Sequence, residues 1–215
     1  MKLYFSRNYN PRLAVAVARY LQAPVEFAFA RPLEPDQQAR FLPLNPNLRL
    51  PILVDDDGGS LWEADAIACR LSQLVGSDFW RAGAELPDMI RWLSWGTWTF
   101  VAACDRIHFE RVTRQRYGLG PVRTLFVEDG EAQFAEAAAI LEAHLAHSEW
   151  LLDSGISYAD FRMGCVLPFK DLAGISLAAY PSIGRWYRAL EQLDAWSDPF
   201  AGMEVPELPA LPPAG

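Results

Sequence analysis

Residues 45–53 read NPNLRLPIL, and residues 61–67, shortly after them, read LWEADAI. Pro51 stands directly before an apolar run, where a strand is expected to begin. Proline cannot donate a hydrogen bond to a sheet ladder, and it is the residue at which a cis peptide bond costs least. A cis Leu50–Pro51 bond would turn the backbone N–H and C=O of Leu50 outward. The sequence therefore predicts an exposed main-chain edge at Leu50, with an ordinary trans-proline loop as the alternative.

The residues after Pro51 have the pattern of a hairpin that leads into a helix. Ile52–Val54 is an apolar strand, the acidic and glycine-rich run 55–60 is a turn signal, and Leu61–Trp62 resumes the strand. Glu63 then opens a helix that continues to Leu74. A helix N-terminus has unpaired N–H groups and the positive end of the macrodipole, so it can hold a carboxylate. We expect a small-anion or peptide site there.

This pattern resembles the glutathione S-transferase signature of a thioredoxin-like domain, Asn-Pro-x-Gly-(Lys/Arg)-(Val/Leu)-Pro-x-Leu, a hairpin, and then Glu-Ser-x-Ala-Ile. The matching positions are Asn45, Pro46, Arg49, Leu50, Pro51, Leu53, Glu63, Ala66 and Ile67. The chain departs from the signature at Leu48, where glycine is usual, and at Ala64, where the family has a hydroxyl that helps to hold the γ-glutamyl carboxylate. A lost hydrogen bond to a charged group costs about 1.5–3 kcal/mol. Weak glutathione binding, or a different ligand, therefore stays open.

The resemblance implies a two-domain layout over nearly the whole chain. Strand and helix signals follow one another as βαβα and then ββα, typical of an α/β thioredoxin-like N-terminal domain, and helical spacing dominates afterwards. We expect this domain over residues 1–76, a linker over 77–88, an all-α C-terminal helical bundle over 89–203, and an extended or disordered Pro-rich tail over 204–215.

Two further segments bear on the helical part. Ser157 and Asp160 have the spacing of a capping box at the start of a helix, so Asp160 is interpreted as structural rather than catalytic. Residues 115–124 read as a loop, and residues 131–147 read as an amphipathic helix.

The resemblance implies that a Tyr, Ser or Cys shortly after the first strand contacts the thiol of glutathione, whose pKa must fall for reaction at neutral pH. The loop Ser6–Arg12 contains no cysteine. By position, Asn10 is the first candidate for the sulfur contact, Asn8 the second and Ser6 the third, with Tyr9 as a further donor. The alternative for each Asn is turn chemistry with its own backbone.

Glutathione is the co-substrate that the resemblance implies, and the expected binding residues are Arg49, Leu50, Pro51, Glu63 and Ala64. The resemblance also implies a homodimer, in which Asp105 of one subunit reaches the glutathione amine bound to the other. A hydrophobic electrophile is expected against a wall formed by Trp95, Trp98, Phe100 and Arg106.

The composition of the chain argues against several classes of function. With 19 basic and 27 acidic residues the net charge is −8, which disfavours binding to nucleic acid and to anionic membranes, although Arg7, Arg12 and Arg49 could form a local basic pocket. No apolar run reaches the ~18–20 residues that span a bilayer. The polar start is too short for a secretory signal, so a cytoplasmic location is expected. The three cysteines and three histidines have no metal-site spacing, and no metal is expected.

The leading hypothesis is a detoxifying glutathione transferase that conjugates the glutathione thiolate to a small hydrophobic electrophile. The alternative is a non-catalytic scaffold or regulatory protein that keeps the fold while its glutathione site has degraded, which Leu48 and Ala64 favour. Isomerisation or dehalogenation with glutathione would use the same site.

Overall fold

The structure is a computed structural model that describes residues 1–212, and it divides into two compact units. Unit 1 contains residues 1–80 and 191–207, and unit 2 contains residues 81–190 together with the last described residues from Leu208 onward. The end of the predicted tail, residues 213–215, lies outside the described residues.

Unit 1 is a mixed α/β domain, as the sequence predicts. Its first seven elements are β1 (Lys2–Phe5), α1 (Tyr9–Tyr20), β2 (Glu26–Phe29), α2 (Pro35–Phe41), β3 (Ile52–Val54), β4 (Ser60–Trp62) and α3 (Ala64–Val75). The strands form one sheet in the order β2-β1-β3-β4. The pair β1–β2 is parallel, and the pairs β1–β3 and β3–β4 are antiparallel.

Alternate residues of β1 face opposite sides of the sheet, as the period of a strand requires. Leu3 and Phe5 are buried in one apolar cluster with residues of α1 and α3, whereas Tyr4 belongs to a second cluster that contains Phe41 of α2. The sheet is thereby covered on both faces, which holds the ends of the strands in fixed positions.

Unit 2 is helical, which confirms the predicted all-α part. Its helices are α4 (Leu86–Trp98), α5 (Phe100–His108), α6 (Arg114–Arg116), α7 (Thr124–Leu145), α8 (Tyr158–Gly164), α9 (Lys170–Ala173) and α10 (Pro181–Glu191), and α11 (Asp194–Ser197) follows in unit 1. Short 3₁₀ turns at Gly83–Glu85 and Leu167–Phe169 and a π-helical turn at Phe109–Thr113 complete it. Within residues 1–212, none of the helices combines the length and the apolar character that a membrane span needs.

Three boundaries differ from the expected ones. Helix α4 begins at Leu86, inside the predicted linker. Helix α7 begins at Thr124, although the amphipathic pattern starts only at residue 131. Its first turn is fixed by Glu110, a partner from another helix that local sequence does not show. Residues 191–207 pack with unit 1 rather than with the helices that precede them.

Candidate functional site

Three segments of unit 1 meet at one end of the sheet because of its register. Tyr4 of β1 lies opposite Ile52 of β3, and Ile52 lies opposite Trp62 of β4. Since the pairs are antiparallel, the residues after β1, before β3 and after β4 all leave the sheet at this end. Ser6, Leu50 and Ala64 are each two residues beyond that row. Neighbouring strands lie about 4.8 Å apart, so the three segments extend over about 10 Å.

Leu50 provides the main-chain edge that the sequence predicts. The Leu50–Pro51 peptide bond is cis. Leu50 lies outside the ladder of β3 and is half-buried, and its backbone N–H and C=O form no hydrogen bond with any of residues 1–212. An amide pair without a protein partner at the surface is available to a peptide-like ligand.

Asn45 shapes the loop that carries Leu50. Its buried side chain donates to the carbonyl of Arg49 at 2.9 Å and accepts from the backbone N–H of Asn47 at 3.0 Å. Leu48 adopts φ of +53°, the left-handed region that glycine enters without steric cost. The glycine usual in the family and this backbone geometry therefore agree, and Leu48 adopts it at a cost of about 1–2 kcal/mol. Its side chain packs against the cluster around Phe41, which offsets part of that cost.

The first turn of α3 is the second half of the site. Glu63 is the N-cap residue with φ of +75°, and its side chain makes no capping hydrogen bond within the described part of the chain. Ala64 is buried, and its backbone N–H has no hydrogen-bond partner among residues 1–212. Asp65 follows in the same turn, so two carboxylates stand beside this N–H. The turn can accept a carboxylate on its N–H groups and a cation on its acids.

Helices of unit 2 show what a carboxylate does at such a position. Glu142 accepts the backbone N–H groups of Ser182 and Ile183 at the start of α10, at 2.9 Å each. Burial is the largest single cause and would raise its pKa, but the two N–H groups, the Ser182 hydroxyl and the charge of Arg185 together place the pKa of Glu142 below its ordinary value. These N–H groups thus favour the ionised carboxylate.

The N-terminus of α7 receives a second carboxylate, that of Glu110. It accepts the backbone N–H of Arg123 at 3.1 Å and forms ion pairs with the guanidinium groups of Arg123 and Arg114 at 2.5 and 2.7 Å. Hydrogen bonding to Arg123 is the main cause that lowers the pKa of Glu110 to about 2.

The N-terminus of α8 has the predicted capping box. Asp160 is fully buried, and it accepts hydrogen bonds from the backbone N–H groups of Leu151 and Ser157, the Ser157 hydroxyl and the Trp186 indole at 2.9–3.1 Å. Burial raises the pKa of Asp160 despite these four bonds. Its role is structural, as expected.

The predicted thiol-contact residues lie in the loop between β1 and α1. Ser6 directly follows β1, Asn8 is the N-cap of α1, and Asn10 is in its first turn. The Asn8 amide donates to the Ser6 hydroxyl at 3.5 Å, and Asn8 makes no side-chain capping bond to α1 in the described chain. The register places this loop beside Leu50, so the structure brings all three candidates to the site without selecting one of them.

The prediction of a basic pocket is wrong for Arg12 and Arg7. Arg12 is buried and donates to the carbonyl of Trp196. Arg7 binds the chain near its C-terminal end, at residues 205–207. The guanidinium of Arg49 is exposed and forms no hydrogen bond or ion pair within residues 1–212. Arg7 is not available to the pocket because it binds a segment about two hundred residues later in the chain. No local sequence pattern indicates this contact.

The prediction of a wall for the electrophile is wrong for Phe100. Phe100 is fully buried and packs against Phe134 with ring centroids 5.5 Å apart, so it belongs to the core of unit 2. Trp98 is 81% exposed. Asp105 and Arg106 line a cavity of about 290 Å³ between α5 and α7, together with Phe109 and Phe126.

The cysteines are not among the residues of this site. None of them forms a disulfide bond within residues 1–212, and burial raises the pKa of Cys104 and Cys69. A raised pKa keeps a thiol protonated and unreactive. Among residues 1–212, no group of three or more His, Cys, Asp and Glu side chains has the arrangement of a metal site.

Comparison with known proteins agrees with this geometry. The family model described as "Glutathione S-transferase, N-terminal domain" matches residues 1–71, and the one described as "Glutathione S-transferase, C-terminal domain" matches residues 124–189. The chain is 27% identical to glutathione S-transferase 3 of Zea mays over 194 residues, 87% of this chain and 84% of that protein.

Solved structures have the same fold. The apo structure of glutathione S-transferase III superposes with a TM-score of 0.82 at 25% identity, covering 97% of this chain and 99% of that one. A glutathione S-transferase-I bound with lactoylglutathione superposes with a TM-score of 0.81 at 19% identity, covering 92% and 97%. With the Pro51 loop and the Glu63 turn in place and family models matched in both units, the chain belongs to the glutathione S-transferase family.

Proposed function

We propose that this protein is a glutathione transferase that conjugates the thiolate of glutathione to a small hydrophobic electrophile. The observation that carries the proposal is the pair of unpartnered main-chain groups at Leu50 and Ala64 on neighbouring strand ends. An extended chain advances about 3.3 Å per residue, so a tripeptide spans about 10 Å. That length matches the three strand ends at this edge of the sheet.

Each end of glutathione has a chemically suitable partner. The cysteinyl main chain pairs with the N–H and C=O of Leu50 beside Pro51, as an added strand would. The γ-glutamyl carboxylate accepts the N–H groups at Ala64, and its ammonium lies beside the acids Glu63 and Asp65. The exposed guanidinium of Arg49 attracts the glycine carboxylate.

The loop from Ser6 to Asn10 supplies the activating hydrogen bond. A free thiol has a pKa of about 8.5, and a donor that stabilises the thiolate lowers it. The ionised sulfur then attacks the electrophilic carbon, a C–S bond forms, and the leaving group departs with its electron pair. Asn10, Asn8 and Ser6 are the donors that we propose, in that order.

The test combines binding with turnover. Isothermal titration should give saturable heat with glutathione, and thiol conjugation to a generic aromatic electrophile should be measured for the wild type and for Asn10→Ala, Asn8→Ala and Ser6→Ala. Loss of one donor should reduce the rate by about 10²–10³-fold, as for other donors to a developing anion. Ser94→Ala, an exposed hydroxyl in α4, is the control. No heat at millimolar glutathione would refute the transferase, and activity indifferent to all three changes would support the non-catalytic alternative.

We propose that a second copy of the chain covers part of unit 2. Trp98 and Leu125 are 81% and 73% exposed, and the cavity between α5 and α7 carries both apolar rings and the acid Asp105. Covering these side chains and the rings of the cavity with a second copy would remove apolar surface from water, which favours association. Sedimentation equilibrium should give a homodimer that Trp98→Glu weakens at least tenfold, whereas Ile140→Glu on α7 should not. A monomeric wild type would refute it.

A cytoplasmic location and a detoxifying role are part of the same proposal. The three cysteines form no disulfide bond within residues 1–212, which suits a reducing compartment. Fractionation of cells that express the protein, with the conjugation assay on each fraction, tests both.

A further inference from the structure

A C-terminal segment of the chain returns to unit 1 and lies along helix α1. We call residues 194–207 the strap. Three arginines of unit 1 donate to backbone carbonyls of the strap: Arg12 to Trp196, Arg19 to Ala201 at 2.6 Å, and Arg7 to Val205 and Pro206 at 3.0 and 3.1 Å. The strap is thereby bound through its main chain at several points.

Two of the residues that contact the strap flank Ser6, in the predicted thiol loop. Phe5 stacks on Phe200 of the strap, with ring centroids 5.6 Å apart and an interplanar angle of 15°. The guanidinium of Arg7 lies 5.2 Å from the centroid of the same Phe200 ring. Ser6 therefore stands between two residues that both contact the strap.

Arg7 is held to the strap mainly by its hydrogen bonds to main-chain carbonyls and less by its ion pair. Arg7 also pairs with Glu207 at 2.7 Å, but the Glu207 side chain is 81% exposed. Exposed pairs contribute little because water and salt screen them. The two carbonyl bonds of Arg7 use the fixed fork of the guanidinium, which lysine cannot reproduce.

We propose that Arg7 is a positioning residue, through which the strap holds the Ser6–Asn10 loop in the geometry that activates the thiol. This inference rests on the proposed transferase function. A displacement of about 1 Å at a reacting centre can cost about a hundredfold in rate. Releasing the loop from the strap should therefore weaken thiol activation without removing any group that touches glutathione.

The decisive comparison is Arg7→Ala with Arg19→Ala. Both substitutions remove an arginine that binds a strap carbonyl, but Arg19 lies in the last turn of α1, far along the helix from the loop. Three readouts are taken. They are hydrogen exchange of the backbone amides of residues 6–10 in the protein without ligand, the pKa of the glutathione thiol in the binary complex, from the ultraviolet absorbance of the thiolate, and kcat for conjugation.

Arg7→Ala should accelerate exchange in the loop, raise the pKa of the bound thiol and lower kcat about tenfold to a hundredfold, and Arg7→Lys should restore little of this. Arg19→Ala should leave all three near wild type. A chain truncated after Gly202 should match Arg7→Ala, and adding Arg7→Ala to it should have no further effect.

Equal behaviour of the two arginine variants in all three readouts would overturn the inference. A wild type that binds no glutathione would overturn the proposed function instead, and this is seen before any variant is made. In that case the exchange measurement still decides whether Arg7 orders the loop.

Discussion

Helix α8 in unit 2 and helix α3 in unit 1 begin in opposite ways. At α8, Ser157 and Asp160 form a buried capping box in which the carboxylate accepts four hydrogen bonds. At α3, the N-cap Glu63 makes no side-chain bond within residues 1–212, and the buried Ala64 offers an N–H without a partner. The first helix start is closed by the protein, and the second is open.

Two other helices of unit 2 extend the contrast. Glu110 occupies the N-terminus of α7 and Glu142 that of α10, and both pKa values are lowered there. The chain thus shows twice that a carboxylate from another element is stabilised in its ionised form at a helix start. At α3 no side chain within residues 1–212 caps the first turn in this way, and the γ-glutamyl carboxylate of the proposed ligand would take that place.

The largest effect is expected on the free energy of unfolding, when the capping box at the start of α8 is removed. Asp160→Ala leaves the buried N–H groups of Leu151, Ser157 and Trp186 without an acceptor. Each unsatisfied group costs about 1–3 kcal/mol, so the free energy of unfolding should fall by about 4 kcal/mol. Urea unfolding measures this, and Asp153→Ala, exposed in the preceding loop, is the control. A loss below about 1 kcal/mol would show that Asp160 does not organise this region.

The second largest effect is expected on glutathione affinity, when a hydroxyl is introduced at the start of α3. Ala64→Ser should add a hydrogen bond to the ligand carboxylate, worth about 1.5–3 kcal/mol, and so tighten glutathione binding tenfold or more. Ala66→Ser makes the same change about 200° around the helix and should not. Titration calorimetry compares the two, and an unchanged affinity in Ala64→Ser would place the carboxylate elsewhere.

Acid should weaken the helix starts at which the carboxylate has a lowered pKa, those of α7 and α10. The folded-state pKa of Glu110 is about 2, below the ordinary 4.5, so the unfolded state binds protons first as the pH falls. The stability that Glu110 contributes is complete above pH 4.5 and is lost as the pH falls from there towards 2. Unfolding of Glu110→Gln should depend less on pH in this window, and Glu128→Gln, exposed on α7, should behave as wild type. Parallel curves for all three proteins would contradict the assignment.

The smallest effect is expected at Arg49. Because its side chain is exposed, its pair with the ligand is worth about 0.2–1 kcal/mol, and Arg49→Ala should weaken glutathione binding by no more than about fivefold. The difference should shrink in high salt. Arg91→Ala on α4 serves as the reference in the same calorimetric titrations, and a loss of more than tenfold would mean that Arg49 is buried by the ligand.

The open start was predictable from sequence, and much of what surrounds it was not. Pro51 before an apolar run and Glu63 at a helix start are local signals, and so is the Ser157–Asp160 spacing. The contact between Arg7 and the strap connects residues distant in sequence, and so does the contact between Glu110 and the start of α7. No local pattern indicates either of them. The sequence places Arg12 and Phe100 wrongly for the same reason, because burial depends on the packing of remote elements.

Amide chemical shifts during a glutathione titration test the central claim most directly. In two-dimensional ¹⁵N–¹H spectra, the backbone amides of Leu50 and Ala64 should shift and saturate together, with one dissociation constant, while those of Ser157 and Leu151 at the closed start of α8 stay in place. Saturation at Leu50 and Ala64 alone among these four would establish that the open helix start and the exposed edge bind the same molecule. Unmoved Leu50 and Ala64 amides at millimolar glutathione would contradict it.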